Sequence, residues 1–302
     1  MKIPHPIPYQ GSKRNLAPRI LPYFPRDIRK LIEPFAGSAA ITLAAAEKQL
    51  AQSYVINDAN RALIGLWQEI IDHPEGLAEK YERIWRKQHE HGDPIAWFNQ
   101  VRADFNRSGR PELFLFLLAR CVKASVRYNA DGEFNQSADK RRHGTLPATM
   151  REQLIGASYL LRNRVKCEAR DHRDVLRSAT PKDLVYMDPP YQGVSRKRDS
   201  RYLLGVDFAD FVQALTELNE RSISYIVSYD GRTGAKTYGP PLPGHLHLEL
   251  VELHAGRSSQ ATLLGRTDET VESLYLSPAL KERLNDSSFS YAPGQPRQLA
   301  VA

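Results

Sequence analysis

The sequence predicts an α/β fold in which a mainly parallel sheet carries a mainly helical insertion. Short apolar runs typical of strands alternate with helical patterns at 1–60 and again after 150. Between these two regions, at 61–149, apolar side chains recur at helical spacing instead. With 302 residues, of which 41% are apolar and 25% charged, the chain can bury a sizeable core.

The first elements follow the order strand, glycine-bearing turn, helix, strand. Residues 29–32 predict a strand, 33–38 a turn, 39–50 an Ala-rich helix and 53–56 a second strand. This order is typical of a parallel sheet, in which ligands bind beyond the carboxyl ends of the strands.

The remaining elements define the expected domains. A polar, glycine-containing stretch near 127–144 predicts a hairpin or loop at the end of the insertion. Further strands are predicted at 165–169, 184–187, 224–228, 246–253 and 271–276. We therefore expect a catalytic domain formed by 1–60 and 150–280, an inserted domain at 61–149, and a flexible tail at 281–302.

Composition argues against several classes of protein. No apolar run is long enough to span a membrane, and the N-terminus lacks the apolar region of a secretory signal. Cys121 and Cys167 lie far apart in the sequence, which predicts neither a disulfide framework nor a zinc knuckle. His245, His247 and His254 have no partner at ligand spacing, so we expect no metal. A reducing cytoplasm is the expected compartment.

The charge balance favours a polyanionic partner. Lys and Arg number 42 against 35 Asp and Glu, a net charge of +7. Two compact basic runs stand out, Lys140-Arg141-Arg142-His143 and Arg196-Lys197-Arg198. Taken alone, either run is also compatible with a solvated loop.

The tetrapeptide Asp188-Pro189-Pro190-Tyr191 directly follows a predicted strand, where a parallel sheet binds its ligands. Prolines lack an N–H and restrict the residue before them, so this loop presents mainly acceptors, beside the flat face of Tyr191. Such a loop suits the exocyclic amine of an aromatic base. A bare Asp-Pro-Pro would equally fit a proline-capped turn.

A second motif, Phe35-Ala36-Gly37-Ser38, lies between the first strand and its helix. Asp58 follows Gly37 by about twenty positions, the spacing at which an acid meets a cofactor ribose. No G-x-G-x-x-G or G-K-[ST] motif is present, which disfavours a dinucleotide, ATP or a Rossmann oxidoreductase. An adenosine without phosphates fits this turn better.

Taken together, these motifs resemble the Dam-like DNA adenine-N6 methyltransferases, in the order of that family and from Tyr9 to about Pro278. The resemblance implies a Rossmann-like sheet that binds S-adenosylmethionine, with an inserted mainly helical DNA-recognition domain. It also implies a catalytic role for Asp188, Pro189, Pro190 and Tyr191, with the target adenine flipped out of the duplex.

The resemblance further implies a set of cofactor-binding residues. Tyr9-Gln10-Gly11-Ser12-Lys13 is similar to a motif that contacts the methionine part of the cofactor, Asp58 would bind the ribose, and Asp171 the adenine amine. The implied cofactor residues are Tyr9, Gly11, Lys13, Glu33, Pro34, Phe35, Gly37, Ser38, Asp58, Asp171 and Asp188.

For DNA, the resemblance places a contacting hairpin at 127–135. Arg127 and Asn129 are candidates for base readout, with stabilisation of the hairpin as the open alternative. The two basic runs would contact phosphates. The implied DNA-binding residues are Arg127, Asn129, Asn135, Lys140, Arg141, Arg142, Arg196, Lys197 and Arg198.

The chain also departs from the family pattern. Ser12 and Ala39 stand where the family usually has glycine, and Ala124-Ser125 replaces a common Asn-Gly. After Asn135, Gln136-Ser137-Ala138 replaces the usual Val-Pro-Phe-Gly. These hairpin differences prevent transfer of the family's familiar recognition sequence.

The expected function is site-specific methylation of adenine N6 in double-stranded DNA. Methylation of cytosine N4 or of RNA adenine stays open, because the same acceptors suit any exocyclic amine, as does a catalytically silent DNA-binding relative. We expect a prokaryotic or phage protein, a monomer or weak dimer, with a cognate restriction endonuclease as a possible partner.

Overall fold

One mixed sheet organises the molecule. The computed structural model describes residues 2–190, 206–233, 236–237, 241–257 and 269–286. Its strands in these ranges are β1 (Ile28–Glu33), β2 (Ala51–Asn57), β3 (Val165–Glu168), β4 (Leu184–Met187), β5 (Ser224–Thr233), β6 (Lys236–Thr237), β7 (Glu249–Arg257) and β8 (Glu269–Leu276). The order is β3-β2-β1-β4-β5-β8-β7, and β6 pairs with β5. β1 to β5 are parallel, whereas β8 is antiparallel to β5 and β7.

The helices start at the signals expected from the sequence. The helices are α1 (Ala17–Ile20), α2 (Ala40–Glu47), α3 (Arg61–Asp72), α4 (Pro74–Glu90), α5 (Pro94–Ser108), α6 (Pro111–Arg120), α7 (Pro147–Leu161), α8 (His172–Arg177), α9 (Phe208–Glu220) and α10 (Pro278–Asp286). Proline occupies the first turn of six of them, and the side chains of Asn60, Asp93, Asp171 and Asp207 accept backbone N–H groups at the starts of α3, α5, α8 and α9. Among the described residues, no helix is long and apolar enough to cross a membrane.

These elements confirm the predicted α/β fold class. The predicted strands appear, but the one expected at 246–253 runs from Glu249 to Arg257, because a 3-10 turn occupies Gly244–Leu246. The prediction at 224–228 was too short at its carboxyl end, where β5 continues to Thr233.

The sheet is covered on both faces. Alternate residues of β4 face opposite cores: Leu184 and Tyr186 pack with the insertion, whereas Val185 and Met187 pack with α8 and α9. All four are buried, which explains why this strand is a continuous apolar run in the sequence.

The insertion shares its core with the sheet. Leu31 of β1, Trp67 of α3 and Phe114 of α6 belong to one continuous cluster of buried apolar residues. The segment at 61–149 therefore packs directly onto the sheet, and α7 joins the two by packing on α2, α3 and α4.

The boundary predicted at 281 lies inside α10. Leu280 and Leu284 are buried, and Arg283 pairs with Asp27 and donates to the carbonyl of Asp183, just before β4. These contacts fix the helix at the amino ends of the strands, so residues 281–286 do not form a tail. Residues 287–302 lie outside the described ranges.

Candidate active site

The sheet order reverses between β1 and β4, and the candidate site lies at this switch point. A cavity of about 640 Å³ opens there, beyond the carboxyl ends of the parallel strands. The structure brings together in its wall every residue that the sequence implied for the cofactor. These are Tyr9, Gly11, Lys13, Glu33, Pro34, Phe35, Gly37, Ser38, Asp58, Asp171 and Asp188, joined by Pro189 and Pro190.

The glycine turn after β1 is closed by two contacts. Gly37 has a φ of +50°, and a Cβ at this position would lie 3.1 Å from Cε1 of Tyr9, so the turn requires glycine. The Gly37 N–H donates to Oδ2 of Asp58 at 3.1 Å, while Oδ1 accepts from the N–H of Asn60 at 2.9 Å. Burial raises the pKa of Asp58, and these two N–H donors partly counteract the rise.

Two departures from the family pattern are accommodated here. Ala39 keeps a left-handed conformation (φ 45°, ψ 37°), so the backbone follows the path that glycine would take. Ser12 accepts a hydrogen bond from the hydroxyl of Ser38 at 2.8 Å, which joins the N-terminal lysine motif to the glycine turn.

Lys13 is the buried cation of the site. Its side chain is 7% exposed, and Nζ lies 3.1 Å from Oδ1 of Asp188 and 3.6 Å from Oε2 of Glu272 on β8. One ammonium therefore contacts two carboxylates, that of Asp188 just after β4 and that of Glu272 on β8.

Glu33 ends β1 inside the same wall and is almost completely buried. Its Oε2 accepts the backbone N–H of Thr42 at 3.0 Å. Burial is the main cause that raises the pKa of Glu33 to about 8, and the nearby charge of Asp188 adds to it. Glu33 is therefore largely protonated at neutral pH.

Phe35 and His172 contribute aromatic rings to the cavity wall. The Phe35 ring lies 5.1 Å from the His172 ring and 6.4 Å from that of Phe211. Burial lowers the pKa of His172, which keeps its imidazole neutral. The neighbouring Asp171 caps α8 and accepts from Arg173, and these Arg173 hydrogen bonds lower its pKa.

The predicted hairpin forms one side of the cavity mouth. Ser125, Val126 and Tyr128 line the cavity. The hairpin is held by a hydrogen bond from the Gln10 N–H to the Ala124 carbonyl at 2.9 Å, and by one from Asn60 Nδ2 to the Tyr128 hydroxyl at 2.9 Å.

Arg127 and Asn129 have different surroundings at the tip of the hairpin. The Asn129 side chain accepts from the N–H groups of Asp131 and Glu133 and donates to the Glu133 carboxylate. These bonds favour the stabilising role for Asn129. Arg127 is exposed beside the cavity-lining residues, and its carbonyl accepts the N–H of the exposed Asn135.

The first basic run follows the hairpin. Lys140, Arg141 and Arg142 are exposed, and Asp139 accepts from the backbone of the latter two. Arg142 also pairs with Asp139 at 2.8 Å. Tyr191 and the second run, 196–198, lie outside the described residues.

The cavity fits S-adenosylmethionine in size and in chemistry. Its volume is within the range of small-molecule sites. Lys13 offers a cation for a carboxylate, Asp58 offers acceptors for ribose hydroxyls, and Phe35 offers an apolar face for a base. The turn at Gly37 allows the close approach of a ligand to the backbone.

Sequence reasoning missed several residues of the site. Trp67 of α3 donates from Nε1 to the Gly37 carbonyl at 3.0 Å and supports the turn. His172 directly follows Asp171, shortly after the end of β3, and this position in the sequence could have indicated that it lies at the site. Glu272 lies on an ordinary alternating strand, where no pattern distinguishes it.

Comparison with known proteins gives the family. Residues 9–247 match the model of the D12 class N6 adenine-specific DNA methyltransferases. The chain belongs to this family. The matched region contains the predicted motifs up to β5 and the hairpin, and it ends before β7 and β8. The resemblance inferred from the sequence is thereby confirmed.

Three curated relatives have similar sequences. A DNA N-6-adenine-methyltransferase of Escherichia phage P1 is 26% identical over 74% of this chain and 29% of its own length. The Type II methyltransferase M1.LlaDCHI of Lactococcus lactis subsp. cremoris is 27% identical over 61% of this chain and 64% of its own. A DNA adenine methylase of Serratia marcescens is 28% identical over 63% of this chain and 67% of its own length. The chain thus spans less than two thirds of the first two relatives.

Proposed function

We propose that this protein transfers a methyl group from S-adenosylmethionine to the N6 amine of an adenine in double-stranded DNA. One observation carries the proposal. The acceptor loop that starts at Asp188 opens into the same cavity as the glycine turn, Lys13 and Asp58. A methyl donor and an exocyclic amine could therefore meet at the switch point.

The site supplies the acceptors that this reaction needs. When bound, the cofactor supplies an electrophilic methyl group on a sulfonium. On accepting this methyl group, the target amine would gain a positive charge. Asp188 and the Pro189 carbonyl accept its N–H bonds and stabilise this charge. The remaining contribution is alignment of nitrogen, methyl and sulfur.

The position of the hairpin supports a set of proposed DNA contacts. The target adenine must leave the duplex to reach the cavity, and we propose that it stacks on Tyr191. Arg127, exposed beside the cavity mouth, is the candidate for base readout. Lys140, Arg141, Arg142 and the run at 196–198 are candidates for phosphate contacts.

The biological setting is a further part of the proposal. The name of the Lactococcus relative, a type II methyltransferase, supports a role in restriction and modification with a cognate endonuclease. Relatives from bacteria and a phage support action on DNA in the cytoplasm of such cells. We propose a monomer or weak dimer.

Replacement of the acceptor tests the mechanism. Asp188→Ala should lower methyl transfer to purified DNA by about a hundred- to a thousandfold, while calorimetry still shows cofactor binding. Asp174→Ala is the control, because this aspartate lies on α8 outside the cavity wall. Methyl transfer by Asp188→Ala at the rate of the control would contradict the assignment.

The substrate is tested by expression in a methylation-deficient host, followed by sequencing of modified bases and nucleoside analysis. N6-methyladenine in one short motif is the expected result. N4-methylcytosine, or methyladenine in RNA alone, would replace adenine in DNA as the target. Unmodified nucleic acids from soluble protein that does not bind labelled S-adenosylmethionine would indicate a silent relative.

A further inference from the structure

Glu272 is a charged residue beside Lys13 to which the proposed reaction assigns no role. It lies on β8, beyond the residues matched by the family model. Its Oε2 is 3.6 Å from Lys13 Nζ, and the same ammonium lies 3.1 Å from Asp188 Oδ1. The three side chains are 18%, 7% and 21% exposed, respectively, so salt and water screen their interactions only weakly.

A β-bulge places Glu272 at this point. The two β8 neighbours of Glu272 pair with Tyr229 and Arg232 of β5, so two residues of β5 lie opposite one of β8. Such bulges redirect side chains and are frequent beside active sites. Gly231 makes the bulge possible, because a Cβ there would lie 2.8 Å from the Val271 carbonyl oxygen.

The charge of Lys13 creates a difficulty for the reaction. Methyl transfer moves positive charge onto the amine that Asp188 holds. An ammonium 3.1 Å from Asp188 neutralises this carboxylate and repels the developing charge. With Glu272 included, the three groups carry a net charge of −1, which stabilises a cation on the amine.

We propose that Glu272 is a positioning residue for this reaction. It holds the ammonium of Lys13 and offsets its charge, so that Asp188 can stabilise the positive charge that develops on the target amine. The inference rests on the proposed function. Because adenine is neutral before the reaction, the effect of Glu272 on the target amine falls on kcat and little on the binding of DNA.

The test compares three variants. Glu272→Gln removes the charge and keeps the shape, whereas Glu272→Asp keeps the charge on a shorter side chain. Glu249→Gln is the matched control. Glu249 lies on the neighbouring strand β7, outside the cavity wall, and forms a 3.3 Å ion pair with Lys281 of α10. For each variant, kcat and KM are measured on DNA, cofactor Kd by calorimetry without DNA, and Tm by calorimetric unfolding.

Glu272→Gln should lower kcat roughly tenfold, with a change in the KM for DNA below about threefold and no rise in the cofactor Kd. Glu272→Asp should recover most of the rate, and Glu249→Gln should match the unmodified protein. The inference is overturned if Glu272→Gln keeps its kcat, if Glu272→Asp is as slow as Glu272→Gln, or if the loss only follows the folded fraction.

The two proposals fail in different ways. An unmodified protein that methylates no DNA overturns the proposed function, and this inference with it. An active unmodified protein whose Glu272→Gln variant keeps its kcat overturns the inference alone.

Discussion

Ala39 adopts the left-handed conformation in which a Cβ is costly, and it does so in a fully buried turn. This conformation costs an alanine about 1–2 kcal/mol. Glycine would relieve the strain, but it would lose a buried methyl group and make the unfolded chain more flexible. The stabilisation from the relieved strain and the destabilisation from these two losses nearly cancel.

We therefore expect Ala39→Gly to change the free energy of unfolding by less than about 0.5 kcal/mol. Ala45→Gly, in the middle of the right-handed helix α2, should lower it by about 1 kcal/mol or more. Urea denaturation of both variants gives the comparison. Equal losses at the two positions would show that Ala39 is not strained.

Glu33 makes stability depend on pH. Its pKa is raised to about 8 in the folded protein, well above the ordinary value of 4.5. Between these values the folded state holds a proton that the unfolded chain has lost. The free energy of unfolding therefore falls as pH rises from about 4.5 to 8.

Glu33→Gln should remove this dependence, because glutamine resembles the protonated carboxyl and cannot ionise. Between pH 4.5 and 8, the free energy of unfolding of the unmodified protein should fall by about a few kcal/mol more than that of the variant. Urea denaturation at pH 5 to 8.5 measures the difference. Glu79→Gln, at an exposed position of α4, should keep the profile of the unmodified protein.

At the level of elements, the hairpin combines a rigid tip with an exposed arginine. Asn129→Ala should lower the free energy of unfolding by about 1–2 kcal/mol, because two backbone N–H groups lose their acceptor. Arg127→Ala should leave stability within about 0.5 kcal/mol and weaken discrimination of the DNA site by about 1–3 kcal/mol.

Chemical denaturation and competition between cognate and altered DNA duplexes distinguish these effects. If Asn129→Ala relaxed specificity without loss of stability, Asn129 would be a reader of bases and its hydrogen bonds would not stabilise the hairpin.

The elements themselves were largely predictable from the sequence. Short apolar runs, among them the buried run at 184–187, indicated the strands, and the Gly37–Asp58 spacing indicated two groups that the structure joins by a hydrogen bond. The extension of β5 to Thr233 was not predictable, because it depends on a bulge paired with β8, which is distant in the sequence. The contacts of Glu272 and Trp67 are equally non-local, and periodicity carries no information about them.

At the scale of the whole molecule, the net charge of +7 predicts salt-sensitive binding to DNA. Each lost phosphate contact should reduce the slope of log K against log salt by about 0.9. The double variant Lys140→Ala with Arg141→Ala should therefore reduce it by roughly 2.

Lys48→Ala with Lys182→Ala is the matched control. These lysines precede β2 and β4, at the end of the sheet opposite the cavity. Fluorescence titrations from about 50 to 300 mM salt give the slopes. Equal slopes for the two double variants would exclude a phosphate contact by the first basic run.

The continuous core between insertion and sheet has a consequence for the distance along DNA between a recognised base and the methylated adenine. Val126 and Tyr128 line the cavity, and Arg127 lies between them in the sequence. Because the insertion and the sheet share one packed interior, the separation of Arg127 from Asp188 is fixed. With base pairs stacked about 3.4 Å apart, a fixed separation becomes a fixed count of base pairs. If Arg127 reads a base, we expect that base to lie at a constant number of steps from the methylated adenine in every site the protein modifies.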